Sequence, residues 1–230
     1  MQICDPSIAE IMSNANYDWI TFDLEHGSYS IKDLINSVRA VELNKKLKLA
    51  RLPNKNLDIS AQVLDAGCDG IIIPNIKNKS ELLKIRISIY YPPTGQRGVG
   101  FARVNVFGKN FKRVIKNKIK PILIAMIENT EGIKNLDEIL SVQGLDAILV
   151  GPYDLSSSLK ITGKFKHPLF KKAIKQIIDK TKKKKTALGI HVLQTSFKEV
   201  KAQFRKGFKF IPYGTDALLL NKSITNSFKL

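Results

Sequence analysis

The 230-residue sequence has few cysteines, few histidines and a shortage of acidic residues. Its two cysteines, Cys4 and Cys68, show no CxxC or other metal-ligand spacing, which argues against a zinc site and predicts reduced, structural thiols. No apolar run approaches the roughly 20 residues that a bilayer-spanning helix needs, and the N-terminus lacks the pattern of a secretory signal. We therefore expect a soluble, cytoplasmic protein without a membrane partner.

The shortage of acidic residues leaves 38 Lys and Arg against 20 Asp and Glu, for a net charge of +18. A basic surface of this kind can attract nucleic acid. The lysines are, however, dispersed along helical stretches, and no helix-turn-helix, RNP-like aromatic motif or zinc-finger spacing accompanies them. The sequence therefore predicts no nucleic-acid partner.

Short β-branched runs alternate with longer stretches of helical periodicity along the chain. Seven runs are predicted strands: 19–24, 48–52, 70–74, 121–127, 147–150, 187–192 and 208–213. Six stretches are predicted helices: 31–43, 59–66, 80–89, 131–140, 169–182 and 197–206. An eighth, shortened strand is expected at residues 1–4.

Local signals indicate where several of these elements begin or end. Ser30 and Asp58 are predicted N-caps, and Asp5-Pro6 is predicted to open a first helix because proline is favoured in the first turn. Three glycines are predicted to mark transitions from helix to strand: Gly144, Gly189 and Gly207.

The alternation of strand and helix predicts a parallel sheet, either in a (β/α)₈ barrel or in an open doubly wound fold. Residues capable of chemistry follow nearly every predicted strand, which is typical of a barrel whose site is surrounded by its loops. No GxGxxG motif follows the first strand, which disfavours a dinucleotide-binding fold. We predict one TIM-barrel domain over residues 1–230, with a shortened first strand and a short C-terminal helix.

Two carboxylates follow consecutive predicted strands, and in a barrel they would point at the same space. Glu128 ends the apolar run PILIAMIE, and Asp154 lies in LVGPYDLS. Oxygen ligands in small number suit Mg²⁺ or Mn²⁺ that retains waters or substrate oxygens. The alternative is that Glu128 only caps the helix that follows it and Asp154 only caps a short turn, because acidic residues are favoured at helix N-termini.

Six motifs occur along the chain in a defined order: FDLEHG, ARLP, LDAGCDGIIIP, YYPPTGQRGVG, IAMIEN and GPYDLSSSL. Their order and spacing resemble the class II pyruvate-dependent aldolases typified by 4-hydroxy-2-oxoheptanedioate aldolase. The resemblance implies a (β/α)₈ barrel of the phosphoenolpyruvate/pyruvate type and a homo-oligomer, typically a hexamer built from dimers. It also implies reversible cleavage of a 4-hydroxy-2-oxo acid into pyruvate and an aldehyde through a metal-stabilised pyruvate enolate.

The same resemblance implies roles for four polar side chains. Glu128 and Asp154 match the ligands of the divalent metal ion, Mg²⁺ or Mn²⁺. His26 matches the catalytic acid/base, and Arg51 matches the arginine that binds the substrate and stabilises the enolate. A histidine suits proton transfer near neutral pH, and a permanently charged guanidinium suits a developing oxyanion.

Further positions are matched in the acidic surroundings of the histidine and in the substrate loop. Asp23 and Asp65 match acidic residues near the catalytic histidine, and Asp23 is predicted to orient His26 and favour its protonated form. The loop that cradles the pyruvate carboxylate is matched by the backbone of Gly151, Pro152 and Tyr153, next to Asp154.

Two further positions, Met126 and Arg97, are interpreted separately. Met126 stands where many relatives have a glutamine that helps to hold the substrate carboxylate, so the substrate scope is expected to differ. Arg97 lies in a loop rich in proline and glycine, which either covers the mouth of the barrel or is a linker anchored by an arginine salt bridge.

Three alternative functions stay open. Relatives with the same framework condense or decarboxylate other oxo acids, such as oxaloacetate. A class I aldolase would need a Schiff-base lysine at a strand end, and Lys48 and Lys209 lie inside predicted strands without matching such a motif. A catalytically inactive basic barrel that binds polyanions is the alternative of a different class.

Overall fold

The computed structural model describes residues 1–116, 120–184, 186–193 and 196–227. These ranges contain six strands: β1 (Trp19–Asp23), β2 (Leu47–Arg51), β3 (Gly70–Ile73), β4 (Ile122–Ile127), β5 (Ala147–Val150) and β6 (Ala187–Ile190). They contain eleven α-helices: α1 (Pro6–Asn14), α2 (Ile31–Leu43), α3 (Leu57–Asp65), α4 (Lys79–Ile89), α5 (Phe111–Ile115), α6 (Thr130–Lys134), α7 (Leu136–Ile139), α8 (Pro152–Ser158), α9 (Pro168–Lys182), α10 (Phe197–Arg205) and α11 (Asp216–Ser227). A short 3₁₀ helix covers Arg103–Asn105.

The strands are hydrogen-bonded in sequence order, β1-β2-β3-β4-β5-β6. The pairings of β1 with β2, β2 with β3, β4 with β5 and β5 with β6 are parallel. Parallel neighbours need crossover connections, which the helices supply. The predicted α/β class with a parallel sheet is therefore confirmed, with six strands assigned among the described residues.

The described residues divide into two compact units. Unit 1 contains Met1–Ile72, Ile85–Ile122 and the segment from Thr215 onward. Its β1 and β2 are in register from Trp19 opposite Leu47 to Asp23 opposite Arg51, so their C-terminal residues are direct neighbours. In the same unit the buried Asp216 carboxylate accepts hydrogen bonds from the backbone N–H groups of Gln2 and Ile3, at 2.7 and 2.9 Å.

Unit 2 contains Ile73–Lys84 and Leu123–Gly214. All four residues of β5 are buried, as expected for a strand covered by helices on both faces. Gly189, predicted to mark the end of a helix, instead lies inside β6. A Cβ at this position would lie 2.5 Å from the carbonyl oxygen of Phe210, so the close approach of the next segment requires glycine.

Two predicted strands are not assigned as strands. Residues 208–213 form isolated parallel bridges, Gly189 with Phe210 and Val192 with Tyr213, because Pro212 cannot donate to a continuous ladder. Residues 1–4 form no strand, although the carbonyl of Met1 accepts the N–H of Asp23 in β1 at 2.9 Å.

Two helix caps and one helix length can be compared with the sequence prediction. Ser30 caps α2 in a capping box, as predicted. Asp58 is not the cap of α3, because Asn56 accepts the N–H groups of the first turn and Asp58 lies one residue inside the helix. The predicted helix 131–140 is divided at Asn135, whose side-chain amide donates to the carbonyl of Lys77.

Within the described residues, no helix combines the length and the apolar character needed to cross a bilayer. The predicted short C-terminal helix corresponds to α11, and residues 228–230 lie outside the described ranges.

Candidate active site

In unit 1, the C-terminal ends of β1 and β2 bring two predicted site residues into direct contact. The Arg51 guanidinium donates from Nε to Asp23 Oδ1 at 2.8 Å and from Nη2 to Asp23 Oδ2 at 2.5 Å. This two-point pairing fixes the plane of the guanidinium because both of its donors meet both carboxylate oxygens. The parallel register that places Asp23 opposite Arg51 is the structural cause.

The Asp23 carboxylate also organises the turn after β1. Its Oδ1 accepts the backbone N–H groups of Glu25 and His26, at 3.1 and 3.2 Å. Burial alone would raise the pKa of Asp23, but the hydrogen bonds and charge of Arg51 outweigh it and hold the pKa below its usual range. Asp23 is therefore a buried, ionised anchor for Arg51.

The His26 imidazole lies beside a different carboxylate from the predicted one. Asp23 binds only the backbone N–H of His26, whereas His26 Nε2 lies 3.8 Å from Glu25 Oε2. The same oxygen of Glu25 lies 3.2 Å from Arg51 Nη1. The predicted orientation of the His26 ring by Asp23 is thus wrong, because both Asp23 oxygens already serve Arg51 and backbone or side-chain amides. The His26 side chain is 61% exposed.

Asp65 is not brought to His26. It is the last residue of α3, before the turn that leads into β3, and its carboxylate pairs with the guanidinium of Arg97. A helix that follows a parallel strand runs back toward the strand's N-terminal edge, so the end of α3 faces away from the ends of β1 and β2. The buried Arg97 also stacks on Tyr91, 4.6 Å from the ring centre, which agrees with the linker anchored by a salt bridge.

In unit 2, Glu128 directly follows β4 and is buried, with 7% of its surface exposed. Its Oε1 accepts the backbone N–H of Asn75 at 2.5 Å. Its Oε2 faces Gly151, where a Cβ would lie only 2.6 Å away. The absent side chain at Gly151 therefore makes room for the carboxylate.

Asp154 lies in the first turn of α8, directly after β5, and is exposed. Because β4 and β5 are parallel neighbours within unit 2, Glu128 and Asp154 both follow the same edge of these strands. Neither carboxylate is an N-cap, since Asn129 caps α6 and α8 has no side-chain cap. The alternative of a capping role alone is therefore wrong for Glu128. Asp154 lies in the first turn of α8, where a negative charge is favoured, so both interpretations of Asp154 stay open.

The loop between β5 and α8 presents backbone groups to its surroundings. Pro152 occupies the first position of α8 and has no N–H, so the N–H donors of the first turn belong to Tyr153 and to the residue after it. The Tyr153 ring packs edge-on against Phe165 at 5.0 Å. Met126 lies in β4, and its Cε would be 3.4 Å from a Cβ at Gly151.

The donors of unit 2 fit a divalent cation that is only partly enclosed by protein. Carboxylate oxygens are preferred by Mg²⁺ and Mn²⁺, which commonly take one or two protein carboxylates and keep water or substrate oxygens. In the part of the chain that the structure describes, no group of three or more His, Cys, Asp or Glu side chains is suitably placed for a metal ion. Further ligands would therefore come from solvent or substrate.

Two residues near these clusters carry no role in the sequence prediction. Glu25 contacts both Arg51 and His26, and its position between Asp23 and His26 in FDLEHG is the only sequence signal for it. Asn75 binds Glu128 through its backbone, at a left-handed φ of 53°. A backbone contact of this kind leaves no side-chain pattern to detect.

Comparison with known proteins identifies the family. Residues 2–223 match the family described as HpcH/HpaI aldolase/citrate lyase. The chain belongs to this family. The hydroxypyruvate/pyruvate aldolase of Roseobacter denitrificans is 32% identical over 234 residues, covering 100% of this chain and 91% of that protein. The 2-keto-3-deoxy-L-rhamnonate aldolase of Klebsiella pneumoniae is 28% identical over 219 residues, covering 94% of this chain and 81% of that protein.

A solved HpcH/HpaI aldolase/citrate lyase family protein from Burkholderia cenocepacia shares the fold of this family member. The TM-score is 0.92 at 24% identity, over 99% of this chain and 90% of that chain. The resemblance to class II pyruvate aldolases, and the prediction of an aldolase, are confirmed by membership of the HpcH/HpaI family and by these relatives.

Proposed function

We propose that this HpcH/HpaI family member is a metal-dependent aldolase that reversibly cleaves a 4-hydroxy-2-oxo acid into pyruvate and an aldehyde. The observation that carries the proposal is the pair of carboxylates after the parallel strands β4 and β5, Glu128 and Asp154, neither of which caps a helix. The relatives named as pyruvate aldolases support the same reaction class.

Glu128 and Asp154 are the residues that would hold the divalent ion, Mg²⁺ or Mn²⁺. When bound, such an ion supplies an electrophile that stabilises negative charge on the oxygens of pyruvate. The N–H of Asn75 orients Glu128 for this role by donating to Oε1. The missing side chain at Gly151 leaves space next to Oε2. A methyl group at Gly151 would occupy that space.

Arg51 is proposed to stabilise the oxyanion of the pyruvate enolate. Its charge is permanent, and Asp23 holds its guanidinium at two points. Pre-oriented donors stabilise developing charge because they need no reorganisation during the reaction. Asp23 serves this step as the residue that holds Arg51 in one orientation.

His26 is proposed to move the proton of the C4 hydroxyl group during bond cleavage. An imidazole can accept and return a proton near neutral pH. The high exposure of the ring permits exchange of that proton with water. Asp65, which pairs with Arg97, is assigned no step within this chain.

The backbone around Gly151, Pro152 and Tyr153 is proposed to bind the substrate carboxylate. Pro152 contributes no donor, so the first-turn N–H groups of Tyr153 and Asp154 are the ones available for a carboxylate. Met126 adds an apolar thioether next to Gly151, which favours an apolar contact with the substrate over a hydrogen bond.

The proposal extends to the whole chain. We propose a single catalytic domain over residues 1–230 with an eight-stranded barrel of the phosphoenolpyruvate/pyruvate type, supported by the strand-like bonds of Met1 and Phe210. The family match over residues 2–223 supports the single domain. A homo-oligomeric assembly and a cytoplasmic location stay predictions from the resemblance and from the sequence.

The decisive experiment is exchange of the pyruvate methyl protons with deuterium, followed by NMR, because it needs no aldehyde. We expect exchange with Mn²⁺ or Mg²⁺ and none after chelation. Exchange that survives the chelator, or that is absent with both metals, would refute the proposal. Glu128→Ala is expected to abolish exchange through loss of the metal, whereas Glu138→Ala, at an exposed position on α7, is the matched control and should retain it. Unchanged metal affinity in Glu128→Ala would refute the ligand assignment.

A further inference from the structure

We propose that Glu25 is a positioning residue whose Oε2 couples the guanidinium of Arg51 to the imidazole of His26. The proposal rests on the function proposed above, since it assigns a task within the same cluster. Glu25 has no role in the sequence prediction, and Asp23 was expected to serve the histidine.

The geometry centres on one oxygen atom. Glu25 Oε2 lies 3.2 Å from Arg51 Nη1 and 3.8 Å from His26 Nε2. The first distance is that of a charge-assisted contact, whereas the second is too long for a hydrogen bond and acts through charge. One carboxylate oxygen therefore faces both cationic groups.

The burial of the three side chains is graded from the core to the solvent. The Arg51 side chain is 15% exposed, that of Glu25 is 23% exposed and that of His26 is 61% exposed. Glu25 thus stands between a largely buried cation and a histidine in contact with water. Its charge is screened less by solvent than the charge of a surface residue would be.

Asp23 cannot perform the same task because its oxygens are committed. Oδ1 accepts from Arg51 Nε and from two backbone N–H groups, and Oδ2 accepts from Arg51 Nη2 and from the Gln2 amide at 3.3 Å. None of these contacts involves the His26 ring. The carboxylate that the ring meets is the one two residues further along the chain.

Other charged groups lie near the cluster. Asp23 and Arg51 belong to β1 and β2, and the Met1 ammonium group interacts electrostatically with both of them and with Asp216 of α11. Only Glu25 among the carboxylates has a charge contact with the His26 ring in the described part of the chain.

Two tasks follow from this position. When the His26 ring takes the proton from the C4 hydroxyl, Glu25 offsets the positive charge that forms, and the proton stays on the ring until it is returned or passed to water. At the same time the contact with Nη1 limits the rotation of Arg51 on the side that Asp23 does not hold.

The test replaces the charge and keeps the shape. Glu25→Gln is expected to lower kcat about 10-fold to 100-fold, with a change in KM of less than about 3-fold, because it acts on a proton-transfer step. Glu25→Asp, which retains the charge, should recover part of the loss. Glu10→Gln, on the exposed face of α1, is the matched control.

A double-mutant cycle separates positioning from a general structural effect. In a His26→Ala background, Glu25→Gln is expected to cost far less than in the wild type, because the residue acts through the missing ring. An equal loss in both backgrounds would refute the coupling to His26.

A readout without turnover separates this proposal from the proposed function. The exchange of the Arg51 guanidinium N–H protons with water, followed by NMR, is expected to be faster in Glu25→Gln than in the wild type, because the contact with Nη1 is lost. An unchanged exchange rate would refute the positioning of Arg51 by Glu25, whether or not the protein is active. Absent deuterium exchange in the wild type would refute only the aldolase, and thermal melts identify any variant that fails to fold.

Discussion

At the residue scale, the Asp23 carboxylate serves the fold and the candidate site with the same two oxygens. It holds the Arg51 guanidinium at two points and also accepts the N–H groups that form the turn after β1. Because folding lowers its pKa, the ionised form is favoured in the native state. Ionisation of this carboxylate therefore contributes to the stability of unit 1.

The contribution of Asp23 has a defined pH dependence. A pKa below the usual 3.8 means that stabilisation is present above that value and is lost as the pH falls through the folded-state pKa. We expect Asp23→Asn to lower the free energy of unfolding by about 2–3 kcal/mol at pH 7, since it removes a charged partner of Arg51. The measurement is urea unfolding from pH 7 to pH 3.

The difference between the wild type and Asp23→Asn should shrink as the solution becomes more acidic. Asp18→Asn, at an exposed position before β1, is the control and should show little difference at any pH. A constant difference between the wild type and Asp23→Asn down to pH 3 would mean that ionisation of Asp23 does not stabilise the fold.

The sequence predicted the site residues that have an assigned role in a motif. It did not predict contacts made by backbone groups or by a residue that lies between two such site residues. The placement of Asp23, Arg51 and Glu128 at the C-terminal ends of parallel strands follows from the apolar runs that precede them. The carboxylate that lies beside the His26 ring is Glu25, because Asp23 is already bound to Arg51. Hydrogen-bond geometry of this kind cannot be predicted from the periodicity of the sequence.

At the element scale, an aspartate directly before a strand holds the neighbouring strand in register. Asp69 precedes β3, and its carboxylate accepts the N–H of Lys48 in β2 at 2.8 Å. Asp146 precedes β5, and its carboxylate accepts the N–H of Leu123 in β4 at 2.9 Å. Each of these aspartates also donates its own N–H to the carbonyl of the same partner. The same device thus occurs once in each unit.

The aspartate before β5 offers a test of this device. Asp146→Ala removes the acceptor for Leu123, so we expect a loss of about 1–2 kcal/mol in the free energy of unfolding, the usual range for a hydrogen bond to a charged group near the surface. Chemical denaturation measures the loss. Asp179→Ala, at an exposed position in the last turn of α9, is the control.

Asp179→Ala is expected to be neutral or slightly stabilising, because alanine has the higher helix propensity. Equal losses in the two variants would contradict a specific role for Asp146.

The bounds of helices and strands were predictable where one hydrophobic periodicity dominates the segment. They were less predictable where a single residue determines the cap of a helix or interrupts a strand. The bounds of α2, 31–43, were predicted to the residue because an amphipathic pattern begins after a capping serine. The cap of α3 was misplaced because Asn56 and Asp58 are both suitable caps and only the backbone geometry selects between them. The segment 208–213 has the composition of a strand, but Pro212 interrupts its ladder.

At the scale of the whole molecule, the net charge of +18 is the dominant electrostatic property. The lysines are dispersed, and many of them lie exposed on helices such as α9 and α10. Dispersed positive charge attracts polyanions without selecting among them, because the attraction comes from counterion release rather than from base contacts. The dispersed charge therefore predicts weak, salt-sensitive binding of polyanions.

The corresponding prediction concerns single-stranded RNA. We expect a Kd no tighter than about 1 µM near physiological salt and a loss of binding of at least about 10-fold between 50 and 200 mM salt. Fluorescence polarisation at both salt concentrations measures it, and saturating RNA should leave deuterium exchange into pyruvate unchanged. Sub-micromolar binding that persists at 200 mM salt would favour the polyanion-binding alternative over an aldolase without an RNA partner.

Carboxylates are scarce in this chain and several of them occupy structural positions, so substitutions of these carboxylates are expected to be tolerated less well than substitutions of exposed lysines. Carboxylates cap helices, start strands, orient Arg51 and bind the backbone of the N-terminal segment: Asp5, Asp33, Asp69, Asp146, Asp23 and Asp216. Surface ion pairs of lysines, such as that of Lys77 with Glu131 at 3.8 Å, contribute little stability by comparison. A variant library that lowers the isoelectric point should therefore exchange exposed lysines and leave these six aspartates untouched.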